Sequence, residues 1–203
     1  MRAVLAAIAA TGLATVGHAA DPDGRYAMKG GGLQTCEAFL DSALWRTEDV
    51  AAYGGWIEGY LTATNAWADG VYDLTPWQTT ESLVALARSV CRQLGAETRF
   101  AEAMSELALV LRQSALTEES DVVVIEVDAA TSLPIYVSVL DRVNEALRER
   151  GHEVATLPGH FGEDSRAALR AVQQDAGIAQ SGIPDQRTLF LLLLDAAVEE
   201  VPG

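Results

Sequence analysis

Histidine, cysteine and basic side chains are all scarce in this chain of 203 residues, and each scarcity removes a class of function. Beyond residue 20 only His152 and His160 remain, with Glu163 and Asp164 beside the second. A catalytic zinc needs three converging ligands and an open position, and this set does not indicate one, so no metal and no other cofactor is expected. No Gly-x-Ser-x-Gly elbow and no glycine-rich phosphate loop occurs, so the local signatures of many serine hydrolases and nucleotide binders are missing. Lys and Arg number 14 against 29 Asp and Glu, a formal charge of −15. Phosphate binding needs a basic face, which excludes nucleic acid as an expected partner. The acidity favours solubility and says little about fold.

Long apolar runs are also missing. The first twenty residues, MRAVLAAIAATGLATVGHAA, carry Arg2, an apolar stretch without acids, and small residues before Asp21. That order predicts a secretory signal peptide over 1–20, cleaved after Ala19 or Ala20. Thr11, Gly12 and Thr15 interrupt the run, which is too short to span a bilayer comfortably. No transmembrane segment is expected in the mature chain. Export implies a periplasmic or secreted protein, and the remaining chain carries a formal −16 because the leader removes one Arg and no acid.

Only Cys36 and Cys91 are present. In an oxidising compartment the economical reading is one disulfide between them, the alternative being two separate buried thiols. A bond across 55 residues stabilises by about 4 kcal/mol through lost denatured-state entropy if its geometry is unstrained.

Residues 21–34, DPDGRYAMKGGGLQ, read as a flexible leader rich in Gly and charge. From Cys36 to about Ala115 the pattern is helical, the domain spanning 35–118. Thr47-Glu48-Asp49 starts one helix that runs to Asp69-Gly70, Thr79-Thr80-Glu81 starts a second, and Gly95 separates a third from Glu97 to about Ser114. The disulfide would tie the first part of this bundle to its middle helix. At residue 120 the pattern changes: SDVVVIEV and LPIYV, separated by DAATS, predict a β-hairpin connection over 119–137. Helical periodicity resumes at Leu140, Val143 and Leu147, again at Leu169, Val172 and Ala176, and last from Asp185 through Leu189, Leu192 and Leu193. The fold class is mainly α: a disulfide-tied helical bundle, a short β-hairpin and a C-terminal three-helix module over 138–199.

Within that module a helix ends in Leu147-x-x-x-Gly151-His152 and a loop follows with Pro158-Gly159-His160-Phe161-Gly162. Ser165, Val172-Gln173, Gly177-Ile178, Ser181-Gly182, Asp185 and Thr188 come after it in turn. This order, over residues 139–195, resembles the peptidoglycan-binding domain, a three-helix cell-wall module. The resemblance implies association with peptidoglycan or a muropeptide, contacted along polar positions near the loop and the two helix starts: His160, Arg166, Gln173, Asp185 and Arg187. The bland alternative for each is an ordinary solvated side chain. Three positions depart from the family's pattern. Pro158 stands where Asp is usual before the loop glycine, His152 where an aromatic residue follows the first helix's glycine, and Val172 where Phe precedes the glutamine. Lost aromatic bulk and a lost carboxylate put the strength of wall binding in doubt while leaving the fold. The run Leu189 to Leu194 is apolar all around a helix and predicts packing beyond the module, against the hairpin or the bundle.

In the first half, Tyr53, Trp56, Tyr60 and Trp67 fall at offsets 0, 3, 7 and 14, one stripe of a helix with Gly55 and Gly59 beside it. Such a stripe can stack on sugars; more often it is core. The two glycines are expected to let another helix approach closely. Residues 35–95 are distantly similar to small disulfide-containing periplasmic helical proteins, such as acid-stress chaperones and type VI secretion immunity proteins.

The expected function is non-catalytic association with peptidoglycan, the bundle meeting an envelope protein or the envelope itself. One alternative is a periplasmic chaperone or immunity-type protein whose module is a structural appendage. The other is a wall hydrolase using two carboxylates, for which Glu37, Glu58, Asp69 and Asp73 are available without a spacing that singles out an acid and a base.

Overall fold

The computed structural model describes residues 23, 25–42, 47–128 and 130–194. The expected leader at 1–20 lies outside them. Seven α-helices and one antiparallel hairpin follow in the order α1 Cys36–Asp41, α2 Thr47–Trp67, α3 Thr80–Leu94, α4 Phe100–Leu111, β1 Val122–Glu126, β2 Ser132–Tyr136, α5 Val137–Glu149, α6 Glu163–Asp175 and α7 Gln186–Leu193. The protein is therefore mainly helical. No helix among the described residues is long and apolar enough to cross a membrane.

Local chemistry explains most helix starts. Thr35 and Thr79 have extended backbone, and their side chains accept from Ala38 N and Ser82 N, satisfying a donor that the helix leaves open. Helix α4 begins at Phe100 rather than Glu97, because the preceding residues are used otherwise. Cys36 N donates to the Thr98 carbonyl at 2.8 Å, Phe100 N donates to the Gln34 carbonyl at 2.8 Å, and Thr35 pairs with Arg99.

Two hydrophobic cores result. The first gathers α1 to α4 around Phe39, Ile57, Leu86, Met104 and Leu107. Phe39 and Phe100 lie 4.5 Å apart between ring centres, with Tyr53 edge-on to Phe39 at 4.7 Å. Cys36 and Cys91 are disulfide-bonded with Cα atoms 5.1 Å apart, both buried, so α1 is tied to α3. The stretch expected as a flexible leader contributes a 3-10 turn at Gly30–Leu33, and Trp56 Nε1 donates to the Lys29 carbonyl at 2.8 Å.

The second core joins the hairpin to α5, α6 and α7 through Ile125, Ile135, Leu140, Leu147, Leu169 and Leu189. β1 pairs with β2 in a register running from Val122↔Tyr136 to Glu126↔Ser132. The alternation of strands turns Ile125 and Ile135 inward and leaves Val122 and Val124 outside.

The halves are joined by specific contacts. Trp77, from the loop before α3, is buried in the second core, with Phe190 of α7 edge-on at 5.0 Å. Phe190 touches both cores, as the all-round apolar run at 189–194 required. Gln186 donates to the Trp77 carbonyl and accepts from Thr79 N at 3.1 Å and Ser82 Oγ at 2.8 Å. Arg142 of α5 donates to the Ser114 and Ala115 carbonyls at 2.5 and 3.0 Å.

On α2 the structure corrects the expected stripe. Tyr53, Trp56 and Tyr60 pack against the first core, but Trp67 is 84% exposed, two turns beyond the last of them. Gly55 and Gly59 admit no helix: a Cβ on either would meet nothing within 4 Å. The tight approach is at their neighbour Gly54, where a Cβ would lie 2.4 Å from Thr80 Cγ2 of α3.

Candidate functional site

The loop between α5 and α6 is built by side chains reaching into it. Asp141 of α5 accepts from Gly159 N at 2.7 Å. Asn144, buried, donates to the His160 carbonyl at 2.7 Å and accepts from Ser165 Oγ at 3.2 Å. Asp164, in the first turn of α6, accepts from Ala155 N at 3.0 Å and meets His160 Nε2 at 2.7 and 2.9 Å. The Ala155 N–H first, and the His160 ring second, hold the Asp164 carboxyl down at about 2, because both stabilise the ionised form. Gly162 starts α6 with extended backbone, and a Cβ there would lie 2.6 Å from Asp164 Oδ1 and 2.9 Å from His160 Cε1. A Cβ there would push on the ends of those two side chains, so glycine leaves the His160–Asp164 pair in place.

Arg166 packs its guanidinium 4.6 Å above the Phe161 ring and donates to the Glu126 carbonyl of β1 at 3.0 Å. A delocalised cation over a ring face is attracted by the ring quadrupole, so this side chain pins the loop to the hairpin. His160 and Arg166, predicted as contacts from sequence, therefore come together at one loop with part of their hydrogen-bonding capacity already used.

Gln173 lies apart from these two. It is completely buried. Its amide nitrogen lies 3.0, 3.0 and 2.9 Å from Ser181 Oγ, the Ile183 carbonyl and Thr188 Oγ1, three acceptors around two N–H donors, and its oxygen accepts from Gly182 N at 2.9 Å. An amide carries two N–H donors, and both are used inside the protein. It holds the α6–α7 loop and does not face solvent. Gly182, at φ 66°, sits where a Cβ would lie 3.0 Å from the Arg166 carbonyl. Both its torsion and its close approach to α6 favour glycine.

That loop forms one wall of an open cleft of ≈ 420 Å³, lined by Ile178, Ala179, Asp185, Gln186 and Arg187. The structure thus brings Asp185 and Arg187 together, apart from the His160 loop. Asp185 caps α7: one carboxylate oxygen accepts from Thr188 N and Thr188 Oγ1 at 2.9 and 2.8 Å, the other from Ser181 Oγ at 3.3 Å. Arg187 is exposed. Gln186, between them, was not predicted; the residue borders the cleft and its side chain clamps the N-terminus of α3. No sequence spacing could signal this, since its partners lie more than a hundred residues away.

A guanidinium beside a capped carboxylate and a positioned amide is suited to hold carboxylate and amide groups by hydrogen bonds. The neighbouring hydroxyl of the other loop, Ser165 Oγ, is buried and donates to Asn144, so His160, Asp164 and Ser165 do not form a nucleophile-and-base relay.

Residues 140–192, the span of α5 to α7, match the family described as "Putative peptidoglycan binding domain". No curated protein and no solved structure matches the chain.

Proposed function

We propose that this is an exported, non-catalytic protein that associates with cell-wall peptidoglycan through its C-terminal module. The carrying observation is the family match over 140–192, which coincides with a complete three-helix unit. Its cleft at the start of α7 offers Arg187 to the carboxylates of a peptide stem, beside Asp185 and Gln186. His160 and Arg166 form a second edge at the α5–α6 loop, and Gln173 supports the α6–α7 loop from behind. The signal-like leader and the Cys36–Cys91 bond favour an oxidising compartment, a periplasm or the exterior. The bundle remains available to meet a further envelope component.

The test is co-sedimentation of residues 21–203 with purified sacculi while released muropeptides are measured in the supernatant. Pelleting without release is expected, with Arg187→Ala weakening it roughly tenfold, the scale of one lost charge-assisted hydrogen bond. Release of muropeptides would replace this reading with a carboxylate-dependent hydrolase. Failure to pellet would move the function to protein partners of the bundle, as a chaperone or immunity-type protein.

A further inference from the structure

We infer that the bundle carries a second wall-binding site, a groove between α2 and α4 that takes a carboxylate-bearing glycan strand. The identity of the polymer rests on the reading above; the groove itself rests on different residues. Trp56 and Tyr60, one turn apart on α2, stack with ring centres 5.6 Å apart and planes 19° apart. They border a groove of ≈ 490 Å³ whose floor is Gly55 and Gly59, with Lys29 on the opposite wall. Tyr60 also borders a second depression of ≈ 260 Å³, which continues past Thr64 and Ser105 to Arg112. The Tyr60 and Ser105 hydroxyls lie 3.0 Å apart where the two meet. Trp56 Nε1 donates to the Lys29 carbonyl, so the ring and the opposite wall are held in register.

Two features identify the occupant. First, the groove is bordered by two stacked aromatic rings, with a floor that carries no side chains and an edge that carries hydroxyls. A pyranose ring suits such a surface, because its C–H face is electropositive against the negative face of an aromatic ring and its hydroxyls leave at the rim. Second, acids outnumber bases two to one in the chain, 29 to 14, yet none of the described residues lining either depression is an acid. The only charged side chains there are Lys29, the chain's one lysine, and Arg112. Charge complementarity therefore favours an extended occupant that is uncharged on its ring faces and anionic along its length. A glycan strand freed of its stem peptides, whose muramic carboxylates are no longer amide-bonded, has both properties. A second contact on the same polymer would add avidity, since it acts at the high effective concentration set by the first.

The test uses residues 21–203 and wall glycan strands freed of their stem peptides, followed by tryptophan fluorescence and calorimetry. The intact protein is expected to bind them saturably with a fluorescence change. Gly59→Leu fills the groove from its open floor, where nothing lies within 4 Å, so its thermal midpoint should not fall while affinity drops at least tenfold. Lys29→Glu should weaken binding several-fold, and more at low salt than at high salt. Chitin oligosaccharides, which share the rings but lack the carboxylates, should bind more weakly than the wall strands. No binding of stripped strands, equal binding by Gly59→Leu, or equal affinity for chitin oligosaccharides would overturn this assignment. Arg187→Ala separates the two readings: it should weaken sacculus pelleting about tenfold and keep stripped-strand binding. Weakened pelleting in Arg187→Ala, with Gly59→Leu indistinguishable from the parent on stripped strands, would remove the groove and leave the module's function standing. Occupancy by a protein segment instead would show as competition with that protein and no response to glycan.

Discussion

The two cores of this protein are stabilised by different means. The bundle packs aromatic rings, Phe39, Tyr53 and Phe100, within 4.5 to 5.3 Å of one another and closes them with a disulfide. The module has no covalent tie, and all four fully buried polar side chains among the described residues belong to it: Asn144, Ser165, Gln173 and Thr188. A three-helix unit has too little apolar volume to immobilise its own loops by packing. Buried hydrogen bonds do so instead, since each buried donor or acceptor must keep its partner. The polar network thus fixes the loops on which the proposed wall contacts lie, whereas the bundle holds its groove between a packed helix and the stretch at Lys29 tied to Trp56.

The contrast can be broken most strongly at the disulfide. Replacing Cys36 and Cys91 together by Ser should cost about 4 kcal/mol, the entropy of a 55-residue loop regained by the unfolded chain. Denaturant unfolding would measure it, and a loss below about 1 kcal/mol would mean that packing alone holds the bundle. Next is Trp77→Ala, which removes the ring that the first half buries in the second core. About 3 kcal/mol of stability should go, and calorimetry should show two transitions in place of one. A single unshifted transition would show that Gln186 and Arg142 suffice to couple the halves.

Gln173→Leu is the sharper probe of the module. It keeps the volume and strips partners from Gly182 N and Thr188 Oγ1, so about 2 kcal/mol should be lost, with faster hydrogen exchange confined to residues 178–188. Uniform exchange across the module would deny it a loop-fixing role. The smallest effect is expected from Asp164→Asn. The Asp164 carboxyl is held from 3.8 down to about 2 in the folded protein, so its contribution is complete above pH about 4 and is lost as pH falls through about 2. Between those values the parent's thermal midpoint should fall more steeply than that of the variant. Parallel profiles would show that the Asp164 carboxylate adds nothing to stability.

Local signals were the legible ones. The caps at Thr79 and Asp185, the β-branched run at 122–125 and the periodicity of α5 to α7 each act within a few residues, so sequence alone placed those elements. The Cys pairing was legible because only two thiols exist. Export and the division into domains remain readings of the sequence. The site was legible only in part. Asp185 and Arg187 share one helix start and meet in one cleft. Gln173 reads as a polar helix position, and only the fold of the loop over it shows that it faces inward.

What the sequence by itself determined, then, is which stretches are helix or strand and which family the last three helices match. Those properties follow from backbone chemistry and period. Tertiary structure alone decided that Trp77 crosses into the second core, that Gln186 serves both a cleft and a neighbouring helix, and that Gly55 and Gly59 lie open while Gly54 is covered. A glycine or a glutamine carries no mark of what will stand opposite it. That depends on contacts between residues far apart in the chain, which form only when the two cores come together.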